Sequence, residues 1–207
     1  MRLKTWSYTP ADDDTDGYVN DGTGDGAAAT LLTTSPGDGL AHLVIATPSG
    51  SVSGNYTIVG TNADGVDQTV TLATDTVNPV TTTAYFKTVT SITLPTTGAE
   101  TVDIGWTDDV IGPTIPIDPK SGIAAAISVD ISGTISFTIQ EMWKNVYDVT
   151  SPSVNGPWLN ISALASKAAD TASTANIGSS AIRLVLNSLT AGATIAISVS
   201  QPTSWGN

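Results

Sequence analysis

Residues 55–74 read NYTIVGTNADGVDQTVTLAT, and this stretch decides the fold class. Polar and apolar residues alternate on both sides of its NADG turn: Tyr56 and Ile58 precede the turn, and Val70 and Leu72 follow it. An apolar period of two is typical of a strand with one buried face, and Asp-Gly accepts the positive φ angles of a tight turn. The stretch therefore predicts an antiparallel β-hairpin.

The runs around this hairpin have the same character. LAHLVIA (40–46), AYFKTVTSITL (84–94) and ETVDIGW (100–106) are short and β-rich, and turn-forming residues separate them. Thr, Ser, Gly, Val, Ile and Ala dominate the chain, whereas only 13% of its 207 residues are charged. Because β-branched side chains suit a pleated sheet, we predict an all-β fold with two small antiparallel β-sandwich or barrel-like modules and an irregular N-terminal arm.

The domain organisation follows from shifts in composition along the chain. The predicted order is an acidic N-terminal arm (1–35), a first β module (36–106), a proline-rich linker (107–121) and a second β module (122–207). Seven of the nineteen acidic residues lie in the first 38 positions, without a sustained apolar period. Pro113, Pro116 and Pro119 recur at intervals of three and cannot donate to a sheet, which favours an extended spacer.

The second module carries two further hairpin patterns. One consists of the β-rich runs on either side of Ser132 and Gly133, and the other surrounds the TAGA sequence at 190–193. Between them, ALASKAADTASTA (163–175) is alanine-rich, but its Thr, Ser and Asp residues weaken a helix there.

Charge and composition narrow the function classes. The formal net charge is −12, and the seven Lys and Arg residues are scattered singly, so no basic stripe could hold nucleic acid and an anionic membrane would repel the surface. There is no cysteine, which excludes disulfides and thiol chemistry. The N-terminal sequence MRLKTWSYTP lacks the apolar run of a signal peptide, and no apolar run approaches the roughly 18 residues of a membrane helix.

The titratable residues do not favour an enzyme. His42 is the one histidine and lies at an alternating position of a predicted strand, where a half-buried structural role is the stronger interpretation than a catalytic base. Asp108 and Asp109 are adjacent, so on a strand they would point to opposite faces. A solvated acidic pair is therefore favoured over the paired carboxylates of a glycosidase, and we predict a protein that is not an enzyme.

The acidic stretch ADDDTDGYVNDGTGDG (11–26) raises the question of calcium. Asp12, Asp14 and Asp16 have the spacing that opens a calcium loop, and the backbone carbonyl of Tyr18 could complete a looser oxygen site. The twelfth position of the loop is Thr23, however, where an EF-hand requires a bidentate Glu. A flexible acidic loop is the preferred interpretation and no cofactor is predicted, with a calcium site as the lesser alternative.

The aromatic residues suggest where partners bind. Trp6 and Tyr8 lie near the N-terminus, Trp158 lies in a predicted loop and Trp205 lies near the C-terminus. Tryptophan is enriched at interface hot spots, so these four residues are predicted to anchor the chain to a neighbouring subunit. The alternative is a platform of exposed tryptophans for a sugar.

Two longer stretches resemble structural proteins of tailed-bacteriophage virions. In the first half these are SGNYTIVGTNADGVDQTVTL, AYFKTVTSITL and ETVDIGW; in the second they are FTIQEMWKNVYD, PWLNIS and AIRLVLNSLTAGATIAISVSQ. Together they cover most of residues 36–202, and within this class the sequence is most similar to capsid cement, or head decoration, proteins.

That resemblance implies a non-enzymatic protein on the outer surface of the capsid, bridging neighbouring major capsid protein subunits and stabilising the shell. It implies no catalytic residues. An acidic surface suits an exterior position, because an interior one would face DNA. Copies are expected to form a homo-oligomer, with a trimer favoured on an icosahedral shell. The rival expectation is a structural protein of the phage tail or of an appendage, with glycan binding as a further role.

Overall fold

The computed structural model describes residues 2–24, 26–119 and 124–201. Strands dominate these ranges and form several antiparallel sheets, so the predicted all-β class is confirmed. Within the same ranges, no helix has the length and apolar content needed to cross a membrane.

The strands in chain order are β1 (Arg2–Tyr8), β2 (Asp14–Gly22), β3 (Ala41–Pro48), β4 (Asn55–Thr61), β5 (Asp67–Ala73), β6 (Val80–Phe86), β7 (Thr88–Thr93), β8 (Val102–Ile111), β9 (Ile115–Pro116), β10 (Ala126–Ser132), β11 (Ile135–Met142), β12 (Trp158–Asn160), β13 (Thr171–Thr174), β14 (Ala181–Leu189) and β15 (Thr194–Gln201). The helical segments are a single α-helical turn, α1 (Pro152–Asn155), and two 3₁₀ turns at Val146–Asp148 and Ser162–Leu164.

The chain divides into two compact units. The middle unit is Ala11–Val110, and the terminal unit combines Met1–Pro10 with Ile111–Asn207. The first ten residues thus belong with the C-terminal half of the chain, because β1 pairs along its whole length with the last strand, β15.

The middle unit contains two sets of strands. One is the sheet β5–β4–β7, and the other is the run β8–β3–β6 with β2 paired to β8. The predicted hairpin is confirmed as β4 and β5, which pair from Asn55 with Ala73 to Thr61 with Asp67. Its turn is held by the Asn62 side chain, which accepts hydrogen bonds from the N–H groups of Asp64 and Val66.

One apolar cluster fills the middle unit and draws side chains from both sets of strands. Tyr56 and Ile58 come from β4, whereas Phe86 and Ile104 come from β6 and β8, and all four are fully buried. Burying an Ile or Phe side chain stabilises the fold by about 1.5–3 kcal/mol relative to leaving it exposed. The alternation visible in the sequence therefore marks the faces that build this core.

The terminal unit also contains two sets of strands. The first is the sheet β1–β15–β10–β13, and the second is the run β12–β11–β14 with β9 paired to β14. The strand ends are joined by a side chain: the amide of Gln201 accepts a hydrogen bond from the N–H of Asp118 at 2.8 Å and donates one to its carbonyl at 2.7 Å. These two hydrogen bonds resemble those between paired residues of neighbouring strands, and they hold the end of β15 against the segment after β9.

The two hairpins predicted for the second module are wrong. β10 pairs with β13 and β15, whereas β11 pairs with β12 and β14, so the turn at Ser132 and Gly133 carries the chain from one sheet to the other. The same holds for β14 and β15 around the TAGA sequence, since β15 pairs with β1 and β10. At the first of these turns, Gly133 has a φ of +84°, which permits the chain to change direction between the two sheets. The local sequence pattern is the same as that of a hairpin, so it does not distinguish the two arrangements.

The segments predicted as arm and linker are more regular than expected. Residues 1–35 include β1 and β2 rather than an irregular arm, because distant strands supply their pairing partners. In the predicted linker 107–121, β8 continues to Ile111 and Ile115–Pro116 form β9. A proline is tolerated in β9 because this two-residue strand pairs with β14 alone within the described ranges. Lys120 and Ser121 lie outside the described residues.

Candidate interaction surface

Two aromatic side chains directly after β11 are exposed to solvent. Trp143 is 55% exposed and Tyr147 is 85% exposed. Single exposed apolar residues are ordinary, but two large aromatic rings within five positions are a feature of binding surfaces, where Trp and Tyr are enriched. We name Trp143 and Tyr147 the exposed aromatic pair.

A buried carboxylate supports the first member of the pair. Glu141, at the end of β11, is 3% exposed, and its carboxylate accepts hydrogen bonds from the N–H of Asn176 at 2.8 Å, the hydroxyl of Ser179 at 2.7 Å and the Asn176 side-chain amide. Trp143 lies two residues after Glu141, and its side chain is close enough to this carboxylate to help lower its pKa. The exposed ring of Trp143 thus directly follows a strand end that a buried, hydrogen-bonded carboxylate holds in place.

The electrostatics of this site follow from those hydrogen bonds. Burial alone raises the pKa of Glu141, but the hydrogen bonds from Ser179 and Asn176, together with a smaller contribution from Trp143, outweigh it, so the pKa lies below its ordinary value. A carboxylate that accepts several hydrogen bonds is stabilised in its charged form. Glu141 is therefore ionised at neutral pH and holds the Ser179 hydroxyl and both Asn176 donors in place.

A capped turn supports the second member of the pair. Tyr147 lies in the 3₁₀ turn Val146–Asp148, where the Asn145 side chain accepts a hydrogen bond from the Tyr147 N–H at 3.3 Å and donates one to Asp148 at 3.0 Å. Val146 is buried and packs with Met142 and Ala181. The turn is anchored by this apolar contact while Tyr147 points to solvent.

Trp158, predicted as an interface residue, has structural contacts instead of a fully exposed ring. The ring is half-buried with the Arg183 guanidinium carbon 4.6 Å from its centroid, and its indole N–H donates to the Pro152 carbonyl at 2.8 Å. Arg183 also donates to the Gln140 side chain at 2.7 Å and to the Ser153 carbonyl. Arg183 and Trp158 together hold the connection that contains α1 against β11 and β14.

The other predicted interface residues lie apart from this pair in the chain. Trp6 and Tyr8 are half-buried on β1, where they pair with Ile197 and Ile195 of β15. Trp205 lies outside the described residues. Trp143 and Tyr147 are not among the predicted interface residues, although the sequence carries a signal: the strand alternation ends at Met142 and is followed by two aromatic residues with Lys144, Asn145 and Val146 between them.

The four residues considered for a calcium site lie on β2 or just before it. Asp14 and Asp16 lie on β2, where the Asp14 carboxylate accepts a hydrogen bond from the Asp16 N–H. Burial, followed by the neighbouring Asp16, raises the pKa of Asp14. Tyr18 is fully buried, and its carbonyl, the proposed ligand, accepts a hydrogen bond from the Leu32 N–H at 2.9 Å. The carbonyl of Asp12 accepts one from the Trp106 indole at 2.9 Å.

Among the described residues, no group of three or more His, Asp or Glu side chains could hold a metal ion. The calcium site stays a prediction that a titration can test.

The single histidine is part of a buried hydrogen-bonded cluster. The two ring nitrogens of His42 lie 2.8 Å from the Thr107 carbonyl and 2.8 Å from the Asp38 carboxylate, and Asp38 also accepts from the N–H groups of Ala11 and Leu40. Although burial raises the pKa of Asp38, the bond and charge of His42 and the two N–H groups outweigh it, and the pKa is lowered. The cluster connects the start of the middle unit to β3 and β8.

The acidic pair on β8 has a different environment. Asp108 is half-buried and Asp109 is exposed. Burial raises the pKa of Asp108, and the charges of Asp109, Asp13 and Asp12 raise it further. Such a cluster of like charges is easier to protonate than an isolated carboxylate.

The exposed aromatic pair is the arrangement best suited to bind a partner, because its rings are accessible and their backbone supports are already ordered. No protein-family model, curated protein or solved structure matches this chain.

Proposed function

We propose that the protein is a non-enzymatic structural protein of a tailed-phage virion, acting as a cement or decoration protein. It binds the outer surface of the head and bridges major capsid protein subunits. The observation that carries this proposal is the exposed aromatic pair, since Trp143 and Tyr147 offer a large contact area on a fixed base, as interface anchors do.

The charge of the chain supports an exterior location. With a formal net charge of −12 and cations at only seven positions, the surface would be repelled by packaged DNA. The phage-like stretches of the sequence support the same proposal. One of them, FTIQEMWKNVYD, contains both members of the exposed aromatic pair, so the resemblance includes the surface that we propose binds the capsid.

The mechanism is adhesion through several weak contacts. A contact made by two or three anchors gives modest affinity, but several copies or surfaces acting together raise the overall avidity by roughly 10²–10⁴. Bridged capsid subunits then separate only when more than one contact breaks. The shell gains resistance to heat and internal pressure without any chemical step.

A binding experiment with expanded phage heads tests this proposal. The purified protein is expected to cosediment with the heads and to raise their disruption temperature, and Trp143→Ala combined with Tyr147→Ala is expected to abolish both effects. Leu32→Ala is the control, because Leu32 is 66% exposed and lies in the middle unit. Heads that bind the double variant as well as the unaltered protein contradict the proposal.

The second candidate is a glycan-binding structural protein of the tail or an appendage. The same exposed aromatic rings favour it, because flat aromatic faces stack on the apolar faces of sugar rings. A glycan array separates the two candidates: binding that depends on Trp143 and Tyr147, combined with no association with heads, favours the appendage protein.

A further inference from the structure

β1 is a terminal strand of its sheet. The strand order is β1–β15–β10–β13, and β1 pairs with β15 at all seven positions from Arg2 to Tyr8. Across the described residues, no second strand pairs with β1. A terminal strand of this length presents a row of backbone donors and acceptors on which another strand can add.

The side chains of β1 have an unusual order. Lys4, Trp6 and Tyr8 share one face, and the Lys4 ammonium lies 5.9 Å from the centroid of the Trp6 ring. Leu3, Thr5 and Ser7 share the other face and are exposed, Leu3 to 63%. Cationic positions thus occupy the first half of the strand and aromatic positions the second half, with Thr5 at the centre.

This order is complementary to itself in an antiparallel arrangement. When two β1 strands pair about Thr5, Lys4 of each copy lies opposite the partner's Trp6, and Arg2 takes the position opposite the partner's Tyr8. Directly opposed side chains on antiparallel strands are about 4.5–5.5 Å apart at Cβ, within reach of a cation–π contact. Each Trp6 then faces the partner's Lys4, and the two Lys4 side chains do not face each other directly.

The charge distribution also favours this edge. Residues 1–10 contain two of the seven cationic residues of the chain and none of its nineteen acidic ones. Two copies of so acidic a protein repel each other over most of their surfaces. In a β1–β1 contact no acidic residue lies on either paired strand, so the repulsion between carboxylates that opposes association elsewhere is lowest there.

We propose that two copies of this chain join through their β1 strands, antiparallel and in register about Thr5, around a two-fold axis. Such an interface is isologous: the same surface is used by both copies. It joins the two terminal-unit sheets into one continuous sheet. The inference goes beyond the proposed capsid role and does not depend on it, and it differs from the trimer expected from the sequence.

Disulfide crosslinking tests the register, because the chain has no cysteine. Thr5→Cys places the two thiols directly opposite each other across the axis, within the Cα separation of about 4.4–6.8 Å that a disulfide requires. Leu3→Cys is the matched control: it is also exposed, but the two thiols lie four residues apart along the strands, about 13 Å. Mild oxidation is expected to give a covalent dimer with Thr5→Cys only.

Sedimentation equilibrium tests the contact itself. The unaltered full-length chain is expected to dimerise, and Lys4→Glu is expected to raise the dimer Kd roughly tenfold, because it removes both cation–π contacts. Lys144→Glu makes the same charge change at an exposed position away from β1 and is expected to leave the Kd within about twofold.

Several outcomes overturn the proposal. The first is a chain that stays monomeric at concentrations up to about 0.1 mM, where weak specific dimers are populated. The second is equal crosslinking of Thr5→Cys and Leu3→Cys, and the third is an equal weakening of the dimer by Lys4→Glu and Lys144→Glu. Circular dichroism confirms that each variant is folded. Head binding by a protein that stays monomeric would overturn the dimer and leave the cement proposal intact.

Discussion

Glu141 is held by Asn176 through two hydrogen bonds, one from the backbone N–H at 2.8 Å and one from the side-chain amide. The two residues lie 35 positions apart, on β11 and on the loop before β14. Burial removes the water molecules that would otherwise hydrogen-bond the Glu141 carboxylate. The two Asn176 donors replace such water molecules and so offset the cost of burying the charge. The pair therefore connects the loop to the strand that supports Trp143.

We expect the charge of Glu141 to make stability depend on pH. Its folded pKa lies below the unfolded value of about 4.3, so its contribution is present above that pH and is lost as the pH falls through the folded pKa. Glu141→Gln replaces an acceptor with a donor facing Asn176 and is expected to lower the free energy of unfolding by about 2 kcal/mol at pH 7. Urea unfolding at pH 7 and at pH 3 measures the difference.

The same experiment contains its control. Asp67→Asn removes an exposed carboxylate from β5 and is expected to change stability by less than about 0.5 kcal/mol at either pH. A Glu141→Gln difference that is as large at pH 3 as at pH 7 would show that the charge of Glu141 is not the source of its effect.

Asp38 is expected to stabilise the middle unit. Its carboxylate accepts from His42 and from the N–H groups of Ala11 and Leu40, and Asp38→Asn removes the charge and leaves a single oxygen to accept from these three donors. We expect a loss of about 2 kcal/mol at pH 7. The pKa of Asp38 is lowered on folding, so the stabilisation by its charge is fully present above the unfolded pKa of about 3.9. The loss caused by Asp38→Asn is expected to disappear as the pH falls from that value through the folded pKa. Thermal unfolding across that range measures it, and a constant loss contradicts the assignment.

The parts of the fold that were predictable from the sequence are local. The β4–β5 hairpin is visible because Tyr56 and Ile58 alternate with polar residues and because Asp64 and Gly65 permit a tight turn. Here the strand period and the turn chemistry agree, and both act over a few residues. The all-β class follows from many such segments.

The long-range pairing was not predictable in the same way. The residues around Ser132 and Gly133 fit a hairpin equally well, and the chain crosses between sheets because β10 and β11 find better partners far along the sequence. The pairing of β1 with β15 joins the two ends of the described chain. The support of Trp143 likewise depends on Asn176, whose contact with Glu141 no local pattern reveals.

Gly105 is expected to be required where β2 approaches β8. A Cβ atom at this position would lie 1.7 Å from the carbonyl oxygen of Asp14, and this backbone cannot move without disturbing β2. We expect Gly105→Ala to lower the free energy of unfolding by more than about 2 kcal/mol. Gly24→Ala is the matched control, because the nearest atom to its Cβ would be 3.6 Å away. Equal stability of the two variants in urea contradicts this account of the β2 contact.

Arg183 is expected to act through the shape of its guanidinium group rather than through its charge. The group donates to Gln140 and to the Ser153 carbonyl while it lies against the Trp158 ring, and a lysine ammonium cannot make all three contacts from one position. Arg183→Lys is therefore expected to cost about 1–3 kcal/mol although the charge is kept. It should also increase quenching of tryptophan fluorescence by acrylamide, as Trp158 becomes more exposed.

A second substitution identifies the source of that effect. Trp158→Phe keeps an aromatic ring beside Arg183 but removes the indole N–H that donates to the Pro152 carbonyl. If the guanidinium contacts hold the connection that contains α1, Trp158→Phe costs less than Arg183→Lys, about 1 kcal/mol for one lost hydrogen bond. A greater cost for Trp158→Phe would mean that the indole, and not Arg183, holds this connection against β11 and β14.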